Sequence, residues 1–450
     1  MRLLLLVSLV AALALPFTAR AQEWQEVPLP DGPSGGNPKL TDIAMDGGVV
    51  WFSTDLDGLL AYDGLTWVLH TVADGGLRSN AWHNTILVDA SGEKWTSKDG
   101  TQTVDRLNDG GTFTDKSDDT WTYYSQPGEL SSPRVFSIAE DGNGNKWFGI
   151  KDETPNQPTK LELLIENDPT TTSDDEWLTY SHEDFPGFER RDVRALAVDQ
   201  QERLWIVYWQ RRGVDVWDYG DYYTHDDDTI THYGQADGLP SDAIHAVLVA
   251  SDGRVWLGGN NGLAVLDAAG ETWTVLADLD VDEVTDVAED AQGHVWAATD
   301  QGVAMLYSSG ELAKLYTTAD GLKHDLVQLI AVGRTGGTVW AVTEEMSTGE
   351  TLLNMLETGF GLDSGVFVYP NPWKEGESTE SIKVQGAPEG STVEIFDITG
   401  QAVRRLSATR EPYVWDSLDA NLNEVPSGVY VIRVETPAGE LIFTKVAIIR

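Results

Sequence analysis

The stretch VFSIAEDGNGNKWFGI, residues 135–150, contains the pattern that decides the fold of this 450-residue chain. A short alternating run ends in an acidic residue, a turn rich in Gly and Asn follows, and a second run begins around a tryptophan. Gly and Asn tolerate the backbone angles of tight turns, so the pattern predicts a β-hairpin. A similar order of residue types occurs seven times, each copy with its own tryptophan: Trp51, Trp95, Trp147, Trp205, Trp256, Trp296 and Trp340.

Each copy continues with two more alternating runs, so one unit holds four predicted strands. Successive tryptophans are 40 to 58 residues apart, and the units show no helical period. Four-stranded units at this spacing are typical of β-propeller blades, which stack around an axis and bury large side chains between them. A β-solenoid is the alternative, although its repeats are normally shorter and more uniform. We therefore expect an all-β fold in which residues 22–364 form a seven-bladed β-propeller.

The two ends of this predicted propeller complement each other. The seventh unit has three predicted strands, the last of them in ETLLNMLE at residues 350–357. EWQEVPL, at residues 23–29, has the pattern of a fourth strand without the other three. Pairing the two segments would close the ring and leave no open edge between the first and last blades. The sequence therefore predicts that the N-terminal strand completes the seventh blade.

Residues 1–21 are predicted to be a secretory signal peptide. The apolar run is too short to span a bilayer, and the triplet Ala19-Arg20-Ala21 indicates cleavage before Gln22. A retained N-terminal anchor is the alternative, but Pro16 and Arg20 interrupt the apolar run. No other stretch approaches about 18 consecutive apolar residues, so we expect an exported protein without a membrane span.

The composition narrows the classes of partner. Loss of Arg2 and Arg20 with the signal peptide changes the formal net charge from −43 to −45. Such a surface repels nucleic acid and anionic lipid, so we expect neither as a partner. The 17 tryptophans and a hydrophobic fraction of 41% predict packed cores rather than disorder. The chain has no cysteine, which excludes disulfides, thiolate metal sites and cysteine nucleophiles.

The repeat resembles that of a known family. VFSIAEDGNGNKWFGI, followed in other units by segments such as DGLPSD at residues 237–242, resembles the two-component regulator propeller repeat. All seven units carry the pattern, so the resemblance covers about residues 22–360. In that family such repeats form the periplasmic sensors of hybrid histidine kinases, which implies a sensor-type propeller. No kinase or receiver module follows here, so we do not expect signalling through an attached kinase.

The C-terminal segment has a different pattern. Short alternating runs and turn signals predict about seven strands in residues 365–450, as in a small immunoglobulin-like β-sandwich. YPNPW (369–373), VEIFDITGQAVRRL (393–406) and VPSGVYVIRV (425–434) resemble the C-terminal sorting domain of the type IX secretion system and the related flagellar-hook-assembly domain. The resemblance implies recognition by an outer-membrane translocon and a secreted or outer-surface location. An adhesive or spacer domain is the alternative.

The sequence shows no motif of a recognised catalytic site. It lacks Gly-x-Ser-x-Gly, His-Glu-x-x-His and a phosphate-binding glycine loop, and its eight histidines have no metal-ligand spacing. DGNGN (141–145) and HDDD (225–228) could bind calcium. The first also reads as the turn shared by the units, and the second as a solvated insertion. We therefore expect neither an enzyme activity nor a cofactor.

Arginines cluster in one region, against the overall charge of the chain. FERRDVRAL (188–196) and VYWQRRGVDV (207–216) together hold five arginines and a tryptophan: Arg190, Arg191, Arg194, Arg211, Arg212 and Trp209. Propeller connectivity places both segments on one face, because one leads into the fourth blade and the other joins its second and third strands. Guanidinium groups beside an aromatic ring suit a carboxylate- or sulfate-bearing ligand, such as an acidic sugar. The alternative is that the arginines neutralise Glu189, Asp192 and Asp215.

The inner strands predict a second set of ligand contacts. Alignment of the units places one residue of each at the mouth of the central channel: Thr41, Asn84, Phe136, Arg194, His245, Thr285 and Gln328. This column is polar and mixed, whereas the packing positions stay alike, as expected of a binding ring. Solvation of a water-filled channel explains the same pattern. We take Asn84, His245 and Gln328 as candidate ligand-binding residues beside the arginines.

These observations favour an exported, non-catalytic propeller, which we expect to be a monomer. Its loop face would bind a small molecule, an anionic glycan or a protein partner, and its C-terminal domain would engage the secretion translocon. A propeller-type polysaccharide lyase or hydrolase is one alternative. A structural or adhesive surface protein is the other.

Overall fold

A computed structural model describes residues 23–80, 83–98, 103–125, 134–150, 160–166, 172, 174–182, 185, 188, 192–209, 212–267, 270, 272–333, 337–345, 347–358, 367–369, 373–374, 381–385, 390–397, 401–406, 413–421, 423–435 and 441–450. Across these residues the regular secondary structure is almost entirely β-strand. Three 3-10 helices of one turn each occur at Val72–Asp74, Gln235–Asp237 and Thr318–Asp320. The predicted signal peptide lies outside the described residues.

Within the described residues, the strands up to residue 357 form seven four-stranded antiparallel sheets. Sheets 1 to 6 each use four consecutive strands, and sheet 7 uses three consecutive strands and β1. In chain order the strands are β1 (Gln25–Val27); β2 (Leu40–Asp46), β3 (Val49–Thr54), β4 (Leu59–Tyr62) and β5 (Trp67–His70) in sheet 1; β6 (His83–Val88), β7 (Lys94–Lys98), β8 (Thr103–Asn108) and β9 (Thr120–Ser125) in sheet 2; β10 (Val135–Glu140), β11 (Lys146–Ile150), β12 (Lys160–Ile165) and β13 (Glu176–Ser181) in sheet 3; β14 (Val193–Val198), β15 (Leu204–Tyr208), β16 (Val214–Asp218) and β17 (Thr229–Tyr233) in sheet 4; β18 (Ile244–Val249), β19 (Val255–Gly259), β20 (Gly262–Leu266) and β21 (Trp273–Val275) in sheet 5; β22 (Val284–Glu289), β23 (Val295–Thr299), β24 (Gly302–Leu306) and β25 (Leu312–Tyr316) in sheet 6; and β26 (Val327–Val332), β27 (Thr338–Glu344) and β28 (Thr351–Glu357) in sheet 7.

The first strands of successive sheets lie side by side around an axis. Each contacts the first strand of the next sheet, from β2 through β6, β10, β14, β18 and β22 to β26, and β26 in turn contacts β2. This is the arrangement of a β-propeller, in which the innermost strands line a central channel. No helix among the described residues is long and apolar enough to cross a membrane.

The N-terminal strand completes sheet 7. β1 pairs with β28 in antiparallel register, with Gln25 opposite Met355 and Val27 opposite Leu353. The Trp24 amide donates to the carbonyl of Asp320 at 2.9 Å. The Trp24 side chain is only 3% exposed and meets the Tyr316 ring edge-on at 6.1 Å, so it also packs against sheet 6. The N-terminal segment therefore joins the last two sheets as well as supplying a strand.

The repeated tryptophan fills the space between neighbouring sheets. It lies on the second strand of every sheet, and all seven are at most 2% exposed. In three sheets its indole N–H donates to the repeat's acidic residue at the hairpin turn, in the pairs Trp95–Asp89 (2.7 Å), Trp205–Asp199 (2.9 Å) and Trp296–Asp290 (3.0 Å). The same acid accepts backbone N–H groups of the turn, as Asp199 does from Gln201 and Arg203. One carboxylate thus shapes the turn and satisfies a buried donor.

The C-terminal residues form a separate two-sheet sandwich. Its strands are β29 (Phe367–Tyr369), β30 (Trp373–Lys374), β31 (Ile382–Gln385), β32 (Thr392–Asp397), β33 (Ala402–Leu406), β34 (Tyr413–Trp415), β35 (Gly428–Glu435) and β36 (Leu441–Ile449). A three-stranded sheet of order β29-β31-β34 faces a five-stranded sheet of order β30-β36-β35-β32-β33. Both contribute to one hydrophobic core around the fully buried Trp415. The indole N–H of Trp415 donates to the carbonyl of Leu418 at 2.9 Å.

The substitution Trp24→Ala tests the closure. Because Trp24 is buried between sheets 6 and 7, we expect a loss of about 3–5 kcal/mol in the free energy of unfolding. Gln25→Ala, at the adjacent exposed position where β1 begins, is the matched control and should change stability by less than about 0.5 kcal/mol. Denaturant unfolding of the two variants and of a deletion of residues 22–30 measures the effect. Equal stabilities for wild type and Trp24→Ala would contradict a closing role.

Candidate functional site

The residues predicted to ring the channel mouth share an unusual backbone position. In every innermost strand the pairing register shifts across one residue, and that residue is Thr41, Asn84, Phe136, Arg194, His245, Thr285 or Gln328. The extra residue of a β-bulge has no ladder partner, and the bulge re-aims its side chain. Alignment of the units identified this column, but alternation alone could not reveal the bulge.

Four of these side chains bridge neighbouring sheets. Each donates a hydrogen bond to a backbone carbonyl near the start of the next innermost strand. The bonds run from Thr41 Oγ1 to His83 (2.7 Å), from Asn84 Nδ2 to Val135 (3.4 Å), from Arg194 Nε to His245 (3.2 Å) and from Thr285 Oγ1 to Val327 (2.8 Å). Gln328 occupies the same position in sheet 7 and is half-buried. The polar character of this column therefore has a structural role in addition to any contact with a ligand.

The structure brings Arg194 and Trp209 together, whereas the sequence predicted only that their two segments lie on one face. The guanidinium carbon of Arg194 lies 4.5 Å from the centre of the Trp209 ring, within range of a cation–π interaction. Trp209 is held by its amide, which donates to the carbonyl of Asp192 at 3.0 Å, and by an edge-on contact with Phe136 at 6.2 Å. Burial lowers the pKa of Arg194, and the carboxylate of Glu283 acts in the opposite direction.

The other predicted arginines are not part of this described cluster. Arg212 is exposed, while Arg190, Arg191 and Arg211 lie outside the described residues. Asp215, one of the acids that could neutralise the arginines, is fully buried. Its carboxylate is contacted by the Tyr208 hydroxyl and by His232 Nδ1, both at 2.7 Å.

His245 connects Arg194 to the next sheet. Its carbonyl accepts the Arg194 hydrogen bond, and its Nε2 lies 2.8 Å from Asn260 Oδ1 and 2.9 Å from Glu283 Oε1. The His245 side chain is mostly buried, whereas that of Glu283 is 42% exposed. Sequence reasoning missed Asn260 and Glu283, since each lies just outside a strand and belongs to no repeated column. The mouth thus carries a cation, an imidazole and a carboxylate on three successive sheets.

In the turn DGNGN (141–145), which the sequence offered as a calcium site, the Asp141 carboxylate accepts hydrogen bonds from other protein groups. Asp141 Oδ1 accepts the amides of Asn143 (3.0 Å) and Asn145 (2.9 Å), and its Oδ2 accepts the Tyr222 hydroxyl at 2.7 Å. Tyr222 belongs to the insertion before β17, which therefore also bridges sheets 3 and 4. Among the described residues no group of three or more His, Asp or Glu side chains is placed to hold a metal ion.

The HDDD insertion is solvated only in part. Asp226 and Asp227 are exposed, as predicted. Asp228 is not, because its Oδ2 accepts the indole N–H of Trp217 at 3.0 Å and lies 3.1 Å from His225 Nδ1. The charge of the insertion alone could not show this packing.

Two carboxylates lie one residue beyond the bulges of sheets 1 and 6. Asp42 Oδ2 accepts the amide of Ile86, and Asp286 Oδ2 accepts the amide of Ile330, each at 2.9 Å and each on the following sheet. Burial raises the pKa of both acids, and the charge of Asp42 adds to the effect on Asp286, whose pKa rises to about 7. The hydrogen bonds of these acids join neighbouring sheets. Because burial disfavours the charged carboxylate, their contribution to stability depends on pH.

The raised pKa of Asp286 predicts a pH dependence of stability. The folded state holds this proton more tightly than the unfolded state, whose pKa is about 3.9. The contribution of the protonated Asp286 carboxyl to the free energy of unfolding is therefore complete below about pH 4 and is lost as the pH rises through about 7. Asp286→Asn should flatten the fall in unfolding free energy across this window, and Asp280→Asn, at an exposed position, should keep the wild-type slope. Parallel slopes for Asp286→Asn and wild type in denaturant titrations would contradict this assignment.

Two segments of the chain match known families. Residues 367–449 match the secretion system C-terminal sorting domain, and residues 238–261 match the two component regulator propeller. These matches confirm the two resemblances found in the sequence. The second segment contains β18, β19 and the candidate site residues His245 and Asn260. The sorting-domain match identifies a secreted or cell-surface protein.

Comparison with curated proteins gave no match. Solved structures share the fold. PorZ, a surface component of the type IX secretion system of Porphyromonas gingivalis, aligns with 94% of this chain at 21% identity and a TM-score of 0.55. The extracellular domain of a hybrid two component system from B. thetaiotaomicron aligns with 95% at 15% identity and a TM-score of 0.56. The chain covers 61% and 55% of these two proteins, respectively.

A third similar structure is an enzyme. Virginiamycin B lyase from Staphylococcus aureus aligns with 74% of this chain, and 99% of the lyase is covered, at 14% identity and a TM-score of 0.53. At these identities the three likenesses establish the propeller fold and leave the function to the residues of the site.

Proposed function

We propose that this chain is an exported, non-catalytic seven-bladed propeller, formed by residues 22–364, that binds a ligand through an anionic group at the channel mouth. Residues 365–450 would form an immunoglobulin-like domain that delivers it to the secretion translocon. The observation that carries the proposal is the position of Arg194, which is fixed before any ligand arrives. The ordered guanidinium of Arg194 at the channel mouth contrasts with the strongly negative charge of the chain as a whole, which supports a role in binding an anionic group.

The contacts of Arg194 support this role. Nε donates to the His245 carbonyl, and the guanidinium carbon lies over the Trp209 ring. No described residue accepts a hydrogen bond from the two terminal nitrogens, and these form the fork that suits a carboxylate or sulfate. Because the side chain is already ordered, little rotamer entropy is lost on binding. Arg190, Arg191, Arg211, Arg212, Asn84, His245 and Gln328 are proposed to extend this site.

Arg194→Ala is the direct test of the binding site. A hydrogen bond to a charged group contributes about 1.5–3 kcal/mol, so affinity for an acidic oligosaccharide should fall about ten-fold or more. Arg254→Ala is the matched control, because Arg254 pairs with Asp252 in the hairpin turn at the other end of sheet 5. Isothermal titration calorimetry with uronic acid oligosaccharides measures both variants.

The same titrations separate the alternatives. Unchanged affinity in Arg194→Ala would move the site elsewhere on the loop face. Release of unsaturated or shortened sugars during the titration would establish the lyase or hydrolase instead. Binding to cells or proteins, with no oligosaccharide bound, would favour the adhesive alternative.

Deletion of residues 365–450 tests the delivery role. In a host with a type IX system the full chain should reach the outer surface or the medium, because residues 367–449 match the sorting domain. The truncated chain should remain in the periplasm, where fractionation and immunoblotting would detect it. Arrival of the truncated chain at the surface in equal amounts would show that the C-terminal domain is a spacer or adhesive module.

A further inference from the structure

The candidate site carries two opposite charges, not one. Arg194 on sheet 4 and Glu283, immediately before β22 of sheet 6, lie on either side of His245 on sheet 5. Glu283 is the charged group whose field acts on the Arg194 guanidinium. A ligand that approaches Arg194 therefore also meets the field of this carboxylate.

The backbone of Glu283 is held by hydrogen bonds, and its side chain is partly exposed. Its amide donates to Asp300 Oδ1 at 3.1 Å, and its carbonyl accepts the Asp300 amide at 3.2 Å. The side chain is 42% exposed, and only Oε1 contacts His245. Among the described residues Oε2 has no hydrogen-bond partner. One carboxylate oxygen is therefore available to a ligand at the mouth.

Asn260 makes it possible for Glu283 to turn towards a ligand. His245 Nε2 lies 2.8 Å from Asn260 Oδ1, slightly closer than its 2.9 Å contact with Glu283. If Glu283 leaves, Asn260 still accepts the imidazole N–H, so the mostly buried His245 does not lose its partner. The His245 backbone, which positions Arg194, is then undisturbed.

The charge of the whole protein limits which anions suit this site. A net charge of −45 without the signal peptide repels a polyanion at long range, and Glu283 repels an anionic group at short range. A cation alone would gain from Glu283 and lose from Arg194. A group with one negative and one positive charge satisfies both residues and carries no net charge against the protein's field.

We propose that the ligand carries a zwitterionic group, an inference that rests on the binding site proposed around Arg194. Its carboxylate would bind the terminal nitrogens of Arg194, and a neighbouring ammonium would bind Glu283. An amino sugar acid with a free amine has this chemistry. Glu283 is then the residue that selects the zwitterion over the corresponding anion.

Four sugars of the same scaffold test this selection with the full chain at pH 7. Muramic acid carries both charges, N-acetylmuramic acid only the negative one, glucosamine only the positive one and N-acetylglucosamine none. We expect calorimetry to show muramic acid binding at least five-fold more tightly than N-acetylmuramic acid. Glu283→Gln should remove this difference, and Arg194→Ala should abolish binding of both. Asp282→Asn is the matched control, since it removes an adjacent exposed charge and should retain the difference.

The outcomes separate the two proposals. Equal affinity for the two muramic acids in wild type, or a stronger preference for the N-acetylated one, would overturn the zwitterion inference and leave Arg194 as an anion site. A preference that survives Glu283→Gln would overturn the role of Glu283. Binding of none of the four sugars by wild type would overturn both this inference and the proposed sugar-binding function.

Discussion

Closure of the ring by the three-residue strand β1 is the constraint on which the rest of the propeller depends. Among the described residues, the other six sheets of the propeller are built from consecutive strands, and sheet 7 is the one propeller sheet that joins residues far apart in the chain. Trp24 strengthens this short pairing, because its buried ring packs against Tyr316 of sheet 6. Without closure, sheet 7 would expose the edge of β28 and the channel would lose its fixed circumference. The geometry of every residue at the mouth follows from that circumference.

The bulge in each innermost strand couples stability to the candidate site. It turns one side chain of each sheet out of the ladder, where the side chain can either bind the next sheet or face the channel. Thr41 and Thr285 bind the next sheet with their single hydroxyl. Arg194 does the same with Nε and keeps two more nitrogens for other contacts. A long, forked side chain at a bulge can thus bind a ligand without giving up the seam between sheets.

Local patterns made most of the fold predictable. The acid, the turn and the tryptophan lie within a few residues of one another, and the structure shows that Asp199 and Trp205 are hydrogen-bonded partners. The pairing of β1 with β28 could be predicted because one unit lacks a strand that the N-terminus supplies. Connectivity predicted that the segments holding Arg194 and Trp209 lie on one face, and the contact between the two side chains is seen only in the structure. Glu283 and Asn260 could not be found this way, because each lies just outside a strand and belongs to no repeated column. The half-buried Asp42 and Asp286 were missed because a carboxylate beside a bulge looks like any other acid in so acidic a sequence.

The acidic surface and the Arg194 site are two parts of one recognition problem. A strongly negative protein repels nucleic acid and anionic lipid, but its field also weakens the attraction of a guanidinium for acidic sugars. Arg194, ordered against Trp209 and across His245 from the available carboxylate of Glu283, reduces this difficulty because the two residues together offer a neutral arrangement of charges. Specificity then depends on the spacing of the two charges across His245, which the closed ring holds constant.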